Sequence, residues 1–306
     1  MKLYYSDTFA PSLPPGHRFP VSKSALLRRR LGAGGAFRAE DFRIPPAATV
    51  AELVHAHAGE YIARVAGNRL SRDELRRIGF PWSLPLVERA RRSAGATVAA
   101  CRDALAEGCA ANLSGGTHHA FRDRGEGFCI FNDAALATLL LLAEGRVRRV
   151  VIVDCDVHQG NGTASILRGV AGAFTCSLHG ANNFPFEKEP GDLDFELPDG
   201  AGDAVYLGAL ESALGRVLAA GPFDLAIYLA GADPYAGDRL GRLSLSKPGL
   251  LARDRMVLDA FFGAGTPVAL AMAGGYARAI EDTVDIHCAT LELARTYWRN
   301  CPAAHQ

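Results

Sequence analysis

The chain has 306 residues, with 33 basic and 33 acidic side chains, no formal net charge and 49% apolar residues spread along its length. This composition fits one folded α/β domain spanning 1–306 and excludes a disordered chain or a disulfide framework. No basic patch or stripe is dense enough to read as a nucleic-acid footprint.

Only Lys2, Lys23, Lys188 and Lys247 are lysines, and the arginine runs Arg28-Arg29-Arg30 and Arg89, Arg91, Arg92 read as solvated helix faces. The opening MKLYYSDTFAPSLPPGHRF lacks the apolar core of a leader, and the longest apolar stretch, Ala134 to Ala143 broken by Thr138, is too short to span a bilayer. A soluble cytoplasmic protein is expected. The cysteines at 101, 109, 129, 155, 176, 288 and 301 form no CxxC pair and read as reduced, mostly buried thiols.

In chain order, Lys2 to Tyr5 reads as a short edge strand, and Ser22 to Leu31 as a helix stopped by Gly32, Gly34 and Gly35. Leu53, Val54, Ala58, Ile62 and Val65 predict one helix over Thr49 to Val65, with His55 and His57 on different faces. Ser71 and Glu74 form a capping box ahead of Leu75 and Ile78, ended by Gly79-Phe80-Pro81. A long amphipathic helix follows from Leu84 to Glu107, stopped by Gly108.

Four short apolar runs then read as buried parallel strands: Val150 to Val153, Ala173 to Leu178, Leu225 to Leu229 and Val268 to Met272. Helical segments lie at Asp133 to Ala143, Ala204 to Leu218 and Lys247 to Phe262. Alternating strands and helices predict a mostly parallel sheet covered on both faces, with chemistry beyond its carboxyl edge.

The segment VVIVDCDVHQGNGT carries the strongest local signal. If the extended direction continues past Val153, then Asp154, Asp156 and His158 point to one side, while Cys155 and Val157 point to the other. Asp156 and His158 can supply carboxylate and imidazole ligands to one zinc, with Asp154 immediately behind them. A third ligand must come from another strand end. Asp233 is favoured because AIYLAGADP turns from an apolar strand into a glycine-bounded loop, and His179 after TCSLH competes with it.

In LSGGTHHAF, His118 and His119 can divide proton abstraction from charge stabilisation. Phe128 in GEGFCIFND can line an apolar channel, and Asn132 or Asp133 can cap the helix that follows. Tyr276, after two glycines in AMAGGYARA, can donate its hydroxyl to a developing oxyanion.

Together His118-His119, Gly127-Phe128-Cys129, Asp154 to His158, Ser177-Leu178-His179, Gly231-Ala232-Asp233 and Gly274-Gly275-Tyr276 resemble the histone deacetylase family of the arginase/deacetylase fold. A weaker likeness extends through His17-Arg18-Phe19-Pro20 and Val54-His55-Ala56-His57. The resemblance implies one catalytic Zn2+ on Asp156, His158 and Asp233, with His118 oriented by Asp154 and His119 beside the scissile amide. It also implies a structural K+ site using Asp154, Ser177 and backbone oxygens around Asp156, His158 and Leu178.

Asn161 stands where many class I members have a second aspartate, so His119 is oriented by a neutral group that stabilises an imidazolium less. By the same resemblance, Gly127, Phe128 and Phe184 form tunnel walls and Leu240 its rim. GFPWS and SLHGANNFPF look more like bacterial and class IV members, which implies acyl groups of acetyl length or longer.

The expected reaction is zinc-dependent hydrolysis of an N-acyl amide, on an acylated lysine peptide or a small acylated amine. Glu187, Glu189, Asp192, Asp194 and Glu196, if they stand at the mouth, favour an acetylpolyamine instead. Arginase-like chemistry lacks its extra metal-ligating aspartates. A non-catalytic acyl-lysine-binding module is disfavoured by the joint presence of the metal ligands and Tyr276.

Overall fold

The β-branched run after Arg149 forms a strand buried on both faces, and it organises the molecule. The computed structural model describes residues 1–301. Its strands are β1 (Lys2–Tyr4), β2 (Phe42–Arg43), β3 (Cys109–Asn112), β4 (Val150–Asp154), β5 (Ala173–Gly180), β6 (Leu193–Leu197), β7 (Leu225–Leu229) and β8 (Val268–Ala271). They form a sheet in the order β2-β1-β3-β8-β7-β4-β5-β6, with every neighbouring pair parallel. The fold is thus α/β of the arginase/deacetylase type.

The helices are α1 (Lys23–Ala33), α2 (Val50–Leu53), α3 (Gly59–Ala66), α4 (Arg72–Ile78), α5 (Leu84–Glu107), α6 (Asp133–Ala143), α7 (Asn161–Leu167), α8 (Asp203–Ala220), α9 (Lys247–Gly263) and α10 (Ile280–Arg299). Along β4 the side chains alternate. Val151 and Val153 enter one core with Leu27 of α1, Leu210 of α8, Leu258 of α9 and Leu291 of α10. Val150 and Ile152 enter the other with Val98 of α5 and Leu136 of α6. Burial on both faces explains why these strands read as continuous apolar runs. None of the described helices is long and apolar enough to cross a membrane.

The strand order reverses at β4 and β7, since β5 and β6 extend to one side of β4 while β7 and β8 lie on the other. The crevice beyond such a reversal is where open α/β sheets bind ligands. Here it receives the loops carrying Asp156, His158 and Asp233, flanked by those carrying Tyr276 and the histidine pair.

Several local expectations are corrected. The edge strand is β2, which pairs outside β1. The helix expected over Thr49 to Val65 is broken into α2 and α3, because the Ala58 N–H donates to Arg122 O at 2.7 Å and His57 Nδ1 meets Phe121 O at 2.9 Å. Those bonds compete with the helical ladder. The acidic segment after Glu187 contains strand β6. α10 was not legible because its core face includes buried Thr283, His287 and Thr290 among the apolar residues. The capping boxes on α2 and α4 and the Asn132 cap on α6 are formed.

Candidate active site

β4 ends at Asp154, short of the expected extension to His158, and its alternation nevertheless continues into the loop: Cys155 and Val157 join the same core as Val151 and Val153. Asp156 Oδ1 accepts the His158 N–H at 3.0 Å, which turns the chain and leaves His158 Nδ1 only 2.9 Å from the same oxygen. Asp233, from the loop after β7, places Oδ2 at 3.4 Å from His158 Nδ1. One ligand atom from each of Asp156, His158 and Asp233 lies within 4.8 Å of the others, and all three residues are buried.

Neighbouring loops lock this triad in place. The Val157 N–H donates to Asp233 Oδ1 at 2.9 Å, and the Gly274 N–H donates to Asp156 Oδ2 at 2.7 Å. Among the described residues Asp233 Oδ2 is buried without a hydrogen-bond partner. Leaving a buried carboxylate oxygen unpaired is costly, so its orientation fits a cation in the cluster. A Cβ on Gly274 would lie 1.8 Å from that oxygen, which makes glycine a steric requirement there. Two carboxylates and one imidazole are a donor set that zinc accepts in catalytic sites.

His179 does not join the cluster. It lies on β5 with Nδ1 at 2.9 Å from Ser177 Oγ, and its buried Nε2 has no hydrogen-bond partner among the described residues. Asp154 lies opposite Ser177 in the register of β4 and β5, with Leu178 next along β5, so the residues of the expected monovalent-cation site are neighbours.

The histidine pair follows β3. Asp133 accepts the Gly116 and Thr117 N–H groups at 2.9 and 2.8 Å, and Asn132 Nδ2 donates to His118 O and Ala120 O at 3.2 and 3.1 Å. The helix-capping dipeptide therefore also holds the loop bearing both imidazoles. His118 Nδ1 meets Asp154 Oδ2 at 2.6 Å, and His119 Nδ1 meets Asn161 Oδ1 at 2.7 Å.

The two imidazoles differ electrostatically. Burial alone would lower His118, but the charges of Asp154 and Asp156 and the Asp154 hydrogen bond outweigh it and hold the ring up at about 9. Burial, with the charges of His118 and His158, holds His119 well below its ordinary value. At neutral pH His118 is thus the cation and His119 the available base.

Tyr276 follows β8, and its backbone N–H donates to Asp238 Oδ2 at 2.6 Å. Burial, then the charges of Asp156 and Asp233, push its phenol well above the ordinary value, so it remains an O–H donor. Its hydroxyl has no hydrogen-bond partner among the described residues.

A cavity of about 820 Å³ connects Tyr276 and both histidines to the surface, and Gly127, Phe128, Phe184 and Leu240 all line it. Phe128 lies 6.1 Å from Tyr276 between ring centroids, and Phe184 stacks edge-on against His119 at 4.9 Å. Gly127 has φ of 54°, and a Cβ there would meet His119 Cδ2 at 2.6 Å.

Two groups at the site carry no sequence signal of their own, and a third, His57, carries only the weak likeness of the Val54-His55-Ala56-His57 segment. Asp238 accepts the N–H groups of Leu240, Gly241 and Tyr276, joining the rim to the tyrosine loop. Arg253 is wholly buried in α9 and donates to Gly231 O at 2.6 Å and Cys155 O at 3.3 Å, tying together both ligand-bearing loops. His57 accepts the Asn132 N–H through Nε2 at 2.9 Å.

Two expectations are corrected. The acidic stretch does not line the cavity: Asp192 binds Thr175, Asp194 accepts the Gly191 N–H, and Glu189 pairs with Arg168. Arg89 does not belong to a solvated helix face with Arg91 and Arg92, because this part of α5 faces Phe19 and the cavity.

The parallel sheet, the triad at its reversal point and the adjacent histidine pair define a site of the deacetylase and amidohydrolase type. The chain belongs to the histone deacetylase family, whose histone deacetylase domain matches residues 17–291. It is 41% identical over 293 residues to an uncharacterised protein of Picosynechococcus sp. (strain ATCC 27264 / PCC 7002 / PR-6), covering 96% of this chain and 97% of that one. It is 29% identical over 291 residues to the histone deacetylase-like amidohydrolase of Pseudomonas aeruginosa, covering 88% and 75%. The crystal structure of an HDAC homologue complexed with SAHA has the same fold, with a TM-score of 0.82 and 24% identity over 96% of this chain and 84% of that one.

Proposed function

We propose that the protein is a zinc-dependent deacylase, a single catalytic domain that hydrolyses the amide of an acylated lysine in a peptide or protein. The observation that carries this reading is the pairing of a carboxylate-bound and an amide-bound histidine beside a metal-ready triad, at the end of an aromatic-walled cavity. A narrow apolar channel fits a methylene stem and excludes bulky substituents beside it.

Asp156, His158 and Asp233 would hold the ion. When bound, zinc supplies a Lewis acid that polarises an acyl carbonyl and acidifies a water molecule. His119 takes the proton from the attacking water as the new C–O bond forms. Protonated His118, held by Asp154, stabilises the negative charge that develops, and the Tyr276 hydroxyl donates to the oxyanion. His119 then returns its proton to the nitrogen as the C–N bond breaks, giving a carboxylate and a free amine. Asp154, Ser177 and backbone oxygens near Leu178 would hold a structural K+.

An acetylpolyamine substrate is less well supported, because Arg18, Arg76, Arg77 and Arg242 outnumber Glu126 around the cavity. A matched series of acetyl-, butyryl-, octanoyl- and myristoyl-lysine peptides, run beside acetylated polyamines, tests the reading. Turnover of peptides by the wild type but not by His119→Ala supports it. Turnover confined to polyamines, or none at all, rejects it.

A further inference from the structure

Resting on the deacylase reading, we propose that Lys23 and Arg89 form a carboxylate-binding subsite in the inner cavity, and that the acyl groups selected there carry a terminal carboxylate. Lys23 opens α1 and is only 7% exposed. Its Nζ donates to Ala273 O at 2.7 Å and lies 5.9 Å from the centroid of the Tyr276 ring. Arg89 sits on α5 with its guanidinium 5.1 Å from the Phe19 ring, and it makes no hydrogen bond among the described residues. Both line the cavity.

Arg89 differs from its neighbours on α5. Arg91 donates to Ala48 O at 2.9 Å, and Arg92 is paired with Glu88 at 2.7 Å. Among the described residues neither Lys23 nor Arg89 has an acidic partner within ion-pair distance. Burial draws the Lys23 ammonium down to about 8 against the pull of Asp233 and Asp156, and Arg89 adds to the lowering. The Asp156 and Asp233 charges are those a divalent ion would neutralise, which leaves this cation pair in need of an anion. Lys23 is buried and Arg89 half-buried, and like charges so placed are costly unless one is present.

Position then selects the anion. Ala273, whose carbonyl holds Lys23, directly precedes Gly274, whose N–H holds Asp156. With the stem between Phe128 and Phe184 and the acyl carbon beside Tyr276, the acyl tail continues toward Lys23. Ser24, Ser114, Gly115 and Gly116 line the cavity there without bulk. A half-amide of a dicarboxylic acid, such as succinyl- or glutaryl-lysine, would put its free carboxylate against the two cations. Water adds across the same C–N bond as before, so the products are the dicarboxylate and lysine.

The test compares kcat/KM for butyryl-, succinyl- and glutaryl-lysine peptides in zinc-loaded wild type, Lys23→Met and Arg89→Met. In parallel, calorimetry titrates glutarate and acetate into the zinc-loaded proteins, with thermal unfolding to verify that each variant is folded. The better carboxyacyl peptide is expected to exceed butyryl by about 30-fold or more in wild type, with that ratio lost in both variants. Glutarate should bind zinc-loaded wild type more tightly than acetate does, and that difference should vanish in both variants. Efficient butyryl turnover with both carboxyacyl peptides refused would overturn the inference and leave the deacylase reading standing. Equal binding of acetate and glutarate without a peptide preference would make this only a site for the released acid, which also overturns it. Failure of every acyl peptide rejects the deacylase reading and the substrate claim with it.

Discussion

His118 is hydrogen-bonded to a carboxylate, Asp154 at 2.6 Å, whereas its neighbour His119 is hydrogen-bonded to a neutral amide, Asn161 at 2.7 Å. This asymmetry assigns the charge to one ring and the free lone pair to the other. In Asn161→Asp a carboxylate would stabilise protonated His119 and raise its pKa, so the base would become available only at higher pH. The acid limb of the kcat/KM profile is expected to move up by about 1 to 2 pH units. An unmoved limb would remove His119 from the role of base.

Tyr276 keeps its proton and its hydroxyl has no partner among the described residues, so that O–H can serve the oxyanion. Tyr276→Phe is expected to lower kcat by about 100- to 1000-fold with little change in KM. Steady-state kinetics on the best peptide would check this, and a change confined to KM would contradict it.

Among the described residues Asp233 Oδ2 is buried without a hydrogen-bond partner, 3.4 Å from His158 Nδ1. Zinc should therefore raise the Tm of metal-free protein, since a ligand that binds only the folded state stabilises it by mass action. Asp233→Asn is expected to abolish that rise and to lose stoichiometric metal by elemental analysis. A zinc-dependent Tm shift of wild-type size in the variant would relocate the ion.

Arg253 is a positioning residue whose guanidinium joins Cys155 O and Gly231 O and pairs with buried Asp254 at 2.8 Å. Arg253→Met removes those donors and leaves the Asp254 charge without its counter-ion. Urea unfolding should show a loss of about 3 to 5 kcal/mol, and zinc affinity should fall because both ligand loops are released. Unchanged zinc affinity would confine the residue to stability.

His57 is fixed as the neutral tautomer by accepting from the Asn132 N–H and donating to Phe121 O. Burial lowers it from 6.5 to about 4. The unfolded chain therefore binds the proton first as pH falls, so this stability is complete above about pH 6.5 and is lost progressively toward pH 4, by roughly 3 kcal/mol. In His57→Asn the pH dependence of unfolding between those values should shrink by about one proton. An unaltered slope would show that His57 is not the group responsible.

The sequence by itself determined the α/β class, the buried central strands and the residues that converge on the site. β4, β7 and β8 are readable because burial on both faces demands unbroken apolar runs, and the turn to polar residues after each marks the carboxyl edge. β3 was not readable: Cys109-Ala110-Ala111-Asn112 consists mostly of small residues, chosen for close packing, with no strand preference to betray them.

The sequence favoured Asp233 over His179 as the partner of Asp156 and His158, but only the tertiary structure brought the three side chains together. Asp233 lies in the loop after β7 and reaches the reversal point, whereas His179 is still within β5, where it meets Ser177. The roles of Arg253, Asp238 and Arg89 were equally hidden, because each depends on what is brought opposite it from distant parts of the chain. Periodicity reports which face a residue occupies, whereas hydrogen-bond partners, burial and the resulting charge state exist only once separated segments have been packed together.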